Sequence, residues 1–384
     1  MAETQADASG ACIAVMAGGT GGHVFPALAV AETLREQGMQ VFWIGTRRGL
    51  ESRLVPEHGF PMEWVRIEGL RGKGLVQRLT GPFQLLAALW QARAILRRRR
   101  PDLVLGMGGF VSGPGGLAAR ALGLPLVIHE QNSVPGMTNQ WLARLATRVF
   151  EAFPGSFPAA RRAAVVGNPV RAAIAAVPPP AERCAGRTGR SRLLVVGGSL
   201  GARALNETVP AALALIPESE RPLVRHQAGE RTLDLARAAY AAAGVEAQVT
   251  PFIRDMAEAY AWADLVVCRS GALTVAELAA VGVASILVPF PFAVDDHQTG
   301  NARYLADAGA ARLVSQRDLA PAALAAWLSE LLADRAHLLA MAQAARTLAH
   351  PEAAARIAAV CREIARHGRE AAPAPRKQST ATTR

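Results

Sequence analysis

The chain has 384 residues, 51% hydrophobic and 19% charged, and 42 basic against 31 acidic side chains give it a formal net charge of +11. That much apolar material supplies two ordinary cores and excludes global disorder, while the scarcity of aromatics (5%) among abundant Ala, Leu, Val and Gly suits helices packed on buried strands. The positive balance favours an anionic partner without choosing among nucleic acid, a phosphorylated ligand and anionic lipid.

Cys12, Cys184, Cys268 and Cys361 are far apart and form no CxxC. This disfavours a disulfide framework or a structural zinc site and fits a reducing compartment. The first ten residues are polar, with no charged segment ahead of an apolar core, so no signal peptide is expected. A membrane-spanning helix needs about 18 apolar residues in a row. The uncharged stretches 103–119 and 278–294 are broken by Gly, Ser and Pro, so the expectation is a soluble or peripheral protein.

In chain order, a strand predicted at 12–16 runs into Gly18-Gly-Thr-Gly-Gly-His23. A helix follows, on which Val24, Ala27, Leu28, Ala31 and Leu34 recur at helical spacing before Gly38 stops it. Glycines let the backbone approach a ligand closely, and the helix N-terminus offers unpaired amides and a partial positive charge to phosphate or an oxyanion. No G-x-G-x-x-G frame fits and no Lys-Ser/Thr follows, so this is neither the dinucleotide fingerprint nor a Walker A loop. His23 stands where the loop opens. Two readings stay open: a structural histidine, or a neutral imidazole that takes a proton from an attacking hydroxyl.

Further strands are predicted at 41–44, 103–105, 126–128, 148–150 and 164–166. Between the second and third, segment 71–100 carries Arg71, Lys73, Arg78, Arg93, Arg97, Arg98, Arg99 and Arg100 and no acid, interleaved with Leu75, Leu79, Phe83 and Trp90. It reads as an apolar helix at an anionic membrane surface or as a core-facing helix with a solvated basic end; its aromatics are not arrayed for stacking on nucleic acid. Next comes Gly106-Met-Gly-Gly-Phe-Val-Ser-Gly-Pro-Gly-Gly116, a glycine loop that should join the same rim. His129-Glu-Gln-Asn132 follows another strand, and there Glu130 is either a base or a group that fixes the loop.

A domain boundary is expected near Gly167-Asn-Pro-Val-Arg171, followed by a weakly structured, Pro/Arg/Gly-rich stretch to residue 192. The second half, with strands predicted at 193–196, 223–226, 248–250, 265–268, 285–288 and 312–314, begins as the first does. Leu193-Leu-Val-Val-Gly-Gly-Ser-Leu-Gly201 is a strand entering a glycine loop, in which Ser199 is either a phosphate donor or a plain turn serine. In Cys268-Arg-Ser-Gly-Ala-Leu-Thr-Val-Ala-Glu277 a helix starts near Ala272 with amides placed for a diphosphate. Glu277 either complements the helix dipole or accepts from ribose hydroxyls. Asp295, Asp296 and His297 make a poor metal site, because adjacent aspartates point apart and the chain has no D-x-D; Gln298 and Asn301 look suited to reading sugar hydroxyls. Continuous apolar strands between helices imply parallel sheets covered on both faces, and two such halves put a cleft between their carboxyl strand ends.

In this order, the motifs at 18–23, 106–116, 129–132, 167–171, 197–202 and 269–277 resemble glycosyltransferase family 28, over about residues 13–350. The resemblance implies an α/β GT-B fold, two Rossmann-like doubly wound parallel-sheet domains facing across a deep cleft. Residues 1–171 would form the acceptor and membrane domain and 172–350 the UDP-GlcNAc domain, with a helix at 351–368 returning to the first domain. By composition alone, the polar, Pro/Thr-rich end of the sequence reads as a disordered tail at 369–384. The resemblance implies inverting transfer of N-acetylglucosamine from UDP-GlcNAc to the 4-hydroxyl of MurNAc in undecaprenyl-diphospho-MurNAc-pentapeptide (lipid I), giving lipid II. The setting implied is the cytoplasmic face of the bacterial inner membrane, as a peripheral protein at an anionic membrane surface. No cofactor, metal or nucleic acid is expected, and other cell-wall enzymes are candidate partners.

By the same resemblance Ile253 and the backbone of Ala272, Leu273, Thr274, Val275 and Ala276 hold uracil and diphosphate. Ser199 and Arg171 touch phosphates, Glu277 the ribose and Gln298 the sugar. Thr20, Gly21, Gly22 and Asn132 line the donor sugar and the acceptor, and His23 is the candidate base. Leu75, Leu79, Phe83 and Trp90 belong to a membrane-facing patch. The competing classes are a nucleotide-sugar 2-epimerase or small-acceptor transferase, against which segment 71–100 and loop 106–116 argue, and a non-enzymatic binder supported by net charge alone.

Overall fold

A computed structural model of the chain describes residues 10–67, 75–198 and 201–370, the side chains of 75–80, 294, 369 and 370 excepted. Ser199, the tail from 371 onward and the side chains of Leu75 and Leu79 therefore lie outside the described residues.

The apolar runs form two sheets in which every strand pair is parallel. The first joins β1 (Cys12–Met16), β2 (Gln40–Gly45), β3 (Met62–Trp64), β4 (Leu103–Gly106), β5 (Leu126–Glu130), β6 (Arg148–Glu151) and β7 (Ala164–Val165) in the order β3-β2-β1-β4-β5-β6-β7. The second joins β8 (Arg192–Val196), β9 (Leu223–Gln227), β10 (Gln248–Thr250), β11 (Leu265–Cys268), β12 (Ala284–Leu287) and β13 (Ala311–Leu313) in the order β10-β9-β8-β11-β12-β13. In each sheet the winding reverses at the first strand, which opens a crevice at the carboxyl ends of β1 and β4 and of β8 and β11.

Alternation within the strands explains why they read as unbroken apolar runs. Ile13, Val15, Leu103 and Leu105 face the helices Gly21–Glu36 and Ala353–Glu370. Ala14, Met16 and Val104 face the helices Leu75–Arg99 and Ser112–Ala121. In the second sheet Leu193, Val195, Leu265 and Val267 line one core, and Leu194, Val196, Val266 and Cys268 the other. The last described helix, Ala353–Glu370, buries Ile357, Ala358, Cys361 and Ala365 against Val24, Ala27 and Ala31, so this helix packs on the first sheet and not the second.

Two features differ from expectation. β3 is an additional edge strand, three half-buried residues with Glu63 at the centre, too short and too polar to register as an apolar run. The stretch after the boundary is not weakly structured. Arg183 donates to the carbonyls of Val281 (2.8 Å) and Gly282 (2.6 Å), while Arg187 donates to those of Ala261, Trp262 and Ala263 and pairs with Asp264. Cations thus satisfy the open carbonyls that end two helices, and the connecting segment is pinned down by its own arginines.

Candidate active site

The glycine loop after β1 leads into the helix Gly21–Glu36, whose N-cap Thr20 is extended, makes no side-chain capping bond, and is followed by no acid in the first turn. The first amides of this helix are therefore not quenched by the side chains that usually cap them. Fully buried Glu51 holds the loop from below, accepting from the amides of Gly19 (2.9 Å) and Thr46 (3.0 Å) and from the Thr46 hydroxyl (2.7 Å). A Cβ at Gly18 would fall 2.7 Å from a Glu51 oxygen, so that glycine makes room for the carboxylate. The second glycine loop interlocks with the first. Gly108 and Gly109 adopt φ of +92° and +84°, and side chains there would run into the His23 imidazole and the Gly18 carbonyl respectively. Only glycine combines that backbone with that closeness.

Residues 129–132 form the polar floor. Glu130 accepts from the amides of Asn132 (2.9 Å) and Gly136 (3.2 Å) and from Asn139 Nδ2 (2.9 Å); its role here is to fix the loop. His23, half-buried, places Nδ1 2.9 Å from Gln131 Oε1. Gln131 Nε2 lies 3.0 Å from both the Met107 carbonyl and His129 Nδ1, and His129 Nε2 lies 2.9 Å from the Gly167 carbonyl. Burial lowers the His129 pKa to about 4, so its ring is neutral at neutral pH.

Polar groups join the two sheets' loops directly. Asn301, at the buried face of the helix His297–Ala306, accepts from the Ser133 amide (2.8 Å) and donates to Asn132 Oδ1 (3.3 Å) and the Ser270 carbonyl (3.3 Å). It is fully buried, and its bonds bridge the two domains at the cleft. Asn168 donates to the carbonyls of Gln131 (2.9 Å) and Ala272 (3.4 Å).

The helix Ala272–Val281 starts after Gly271, again with no capping side chain and no acid in its first turn. Ala272 and Val275 are buried and Leu273, Thr274 and Ala276 half-buried, so backbone more than side chains is on offer there. Glu277 is buried beneath, accepting from Arg171 Nη2 (2.9 Å) and the Tyr260 hydroxyl (3.3 Å). Desolvation raises its pKa, against the lowering effect of Arg171. Arg171, expected at phosphate, thus already carries an ion pair, although its Nε is buried without a partner. Ile253 is half-buried beyond β10, and Gln298 Oε1 accepts from the Phe290 amide (2.9 Å), which steadies the loop after β12. Among the described residues no group of three or more His, Cys, Asp or Glu side chains could hold a metal ion.

Glu51 escaped the sequence reading, since nothing adjacent marks it, and so did the roles of Gln131 and Asn168 within motifs that the reading did single out. No local pattern of the sequence signals these roles, because each is set by partners from distant segments.

Two parallel-sheet domains, each presenting a glycine loop and uncapped helix amides at its carboxyl strand ends and bridged across the cleft, define the GT-B class of glycosyltransferase. The glycosyltransferase family 28 N-terminal domain matches residues 13–151 and the family 28 C-terminal domain residues 192–357. The chain belongs to glycosyltransferase family 28. It is 61% identical, over 92% of its length and 99% of the relative's, to a protein of Alkalilimnicola ehrlichii named UDP-N-acetylglucosamine–N-acetylmuramyl-(pentapeptide) pyrophosphoryl-undecaprenol N-acetylglucosamine transferase. A Marinobacter nauticus protein of the same name is 56% identical over 91% of this chain and 97% of its own. The crystal structure of Acinetobacter baumannii MurG aligns with a TM-score of 0.80 at 44% identity, over 92% of this chain and 99% of that one.

Proposed function

We propose that the chain transfers N-acetylglucosamine from UDP-GlcNAc to the 4-hydroxyl of MurNAc in the undecaprenyl-diphosphate-linked pentapeptide, with inversion. The donor and the acceptor are those in the relatives' names. The observation that carries the mechanism is the half-buried His23 imidazole in the first turn of a helix without a capping side chain, with a second such helix, Ala272–Val281, in the other domain. The acceptor oxygen attacks the anomeric carbon and its proton passes to His23. The bond from that carbon to the diphosphate oxygen breaks, and UDP leaves with the electron pair. Amides of Gly21 and Gly22 and of Ala272 to Thr274, with Ser199 and the free Nε of Arg171, receive the developing charge. Ile253 would flank the uracil, Glu277 with Ala276 border the ribose, and Gln298 with Thr20 and Asn132 the sugars.

Attachment to an anionic membrane on its cytoplasmic side completes the reading. No described helix is long and apolar enough to cross a membrane. The helix Leu75–Arg99 exposes Phe83 (75%), Trp90 (69%) and Leu86, and its basic end is partly neutralised by Glu63, which pairs with Arg98 and Arg99. An exposed apolar face of this kind suits a lipid interface. Replacing Phe83 and Trp90 by serine should weaken binding to anionic vesicles while sparing turnover of a short-chain acceptor; unchanged flotation with vesicles would discard the patch.

The assay for the reaction itself supplies UDP-GlcNAc with a short-chain lipid-linked MurNAc-pentapeptide. UDP release should require the acceptor and yield the disaccharide. Epimerised sugar, or UDP released equally well without acceptor, would reject the proposal.

A further inference from the structure

The chain of hydrogen bonds behind His23 has a direction, and the direction is set by backbone. A carbonyl oxygen only accepts. At one end the Gly167 carbonyl, 2.9 Å from His129 Nε2, requires the proton of that ring on Nε2. His129 is buried and neutral, so its Nδ1 is left as an acceptor. In the middle, the Met107 carbonyl at 3.0 Å and the His129 carbonyl at 3.3 Å both face the same Gln131 terminal atom, which must therefore be the NH2 group; it also donates to His129 Nδ1 at 3.0 Å. Turning the Gln131 amide over would set an oxygen against two carbonyl oxygens and a ring lone pair. Gln131 Oε1 is thereby directed at His23 Nδ1, 2.9 Å away, and accepts from it.

We infer that Gln131 and His129 are positioning residues that fix His23 as the Nδ1–H tautomer and so leave its Nε2 lone pair to take the acceptor's proton. The inference rests on the reading of His23 as base, but the tautomer itself is a property of the free protein. With the reverse tautomer, two lone pairs would face each other at 2.9 Å. The Gly108 backbone against the imidazole leaves the ring little room to escape by rotating. Gln131 is 1% exposed and His129 fully buried, so water does not compete for these bonds. Neither residue needs to touch substrate.

The test is nitrogen NMR of the full chain labelled with 15N-histidine. The His23 resonances among the eight histidines are identified by their loss in His23→Gln. The wild-type chain should show protonated Nδ1 and unprotonated Nε2 at neutral pH. In Gln131→Met, which keeps bulk and removes both hydrogen-bonding ends, the His23 ring should shift toward the Nε2–H form. Turnover should fall roughly 10- to 100-fold, with the KM for UDP-GlcNAc within about two-fold. His129→Gln offers an amide that can donate to Gly167 and accept from Gln131, and should retain the tautomer and most of the turnover. A wild-type His23 carrying its proton on Nε2, or a Gln131→Met chain that keeps the Nδ1–H form, overturns the inference. Should Gln131→Met not fold, the wild-type and His129→Gln spectra still decide it. If the tautomer is as inferred but His23→Ala turns over normally, the base reading fails and the positioning by Gln131 and His129 stands.

Discussion

Each domain buries a neutral histidine near a strand end, and the two end differently. In the second domain His226 donates through Nε2 to Asn206 Oδ1 and accepts at Nδ1 from the Tyr240 hydroxyl, each at 3.0 Å. Asn206 passes the chain on to the carbonyls of Ala228 and Thr232, so this network closes on itself inside one domain. In the first domain the network of His129 runs outward through Gln131 to half-exposed His23. Burial lowers both buried imidazoles, to about 4 for His129 and about 3 for His226. The two clusters thus resemble each other thermodynamically and differ in whether an end reaches the cleft. A perturbed buried histidine is not itself a sign of catalysis; the open end is.

The largest expected effect separates those ends. His23→Ala should lower turnover by about 10²- to 10⁴-fold, the usual contribution of a general base, while UDP affinity by calorimetry changes little. His226→Ala should cost stability of about 1–3 kcal/mol through the partners it orphans and leave turnover per folded molecule unchanged. Normal turnover in His23→Ala would remove the catalytic meaning of the open end.

This difference was only partly legible in the sequence. The glycine loops, the strands buried on both faces and the repeated strand–loop–helix opening could be read because each is local: a composition or a periodicity within about twenty residues. His129, Glu130, Gln131 and Asn132 could be seen as a cluster but not sorted by role. The partners that sort them, Met107 and Gly167 from loops and Asn139 and Asn301 from helices, arrive from elsewhere in the chain. Asn301 stands in a stretch dense in polar groups that reads as a loop; only packing shows it on a helix, buried between the domains. Glu63 was invisible as the partner of Arg98 and Arg99 for the same reason, 35 and 36 residues away. There burial pushes the carboxyl up, the two guanidinium groups outweigh it, and the Glu63 pKa ends below its ordinary value.

The next effect in size is pH dependence, which the two histidines should share. In the unfolded chain both rings protonate near the ordinary 6.5; in the folded chain they do so only near 4 and 3. As pH falls from 6.5, the unfolded state binds protons that the native state refuses, so stability falls, by about 1.4 kcal/mol per pH unit for each ring. Glu277, whose folded pKa is raised, acts in the opposite sense at lower pH. The contribution of one ring is therefore read as a difference: between pH 7 and 5 the urea midpoint of His226→Ala should fall less steeply than that of the unaltered chain. Equal slopes would mean that His226 is not buried neutral, and the likeness between the two clusters would be lost.

The smallest effect is the sharpest check on the closed network. Burial pushes the Tyr240 phenol well above its ordinary pKa, so it remains a donor, and its ring meets His226 edge-on at 5.6 Å. Tyr240→Phe keeps the ring and removes one hydroxyl, leaving His226 Nδ1 as a buried acceptor without that donor. The expected loss is about 1 kcal/mol, or a fall in melting temperature of about 1–2 °C for a chain of this size, with turnover and UDP affinity untouched. Asn206 and His226 are satisfied wholly within the second domain and hand nothing to the substrate side. A fall in turnover larger than the loss of folded protein would show that the carbonyls of Ala228 and Thr232 transmit the network to the neighbouring glycine loop. Both domains would then tune the cleft through a buried imidazole, and the distinction between a closed and an open network would have to be abandoned.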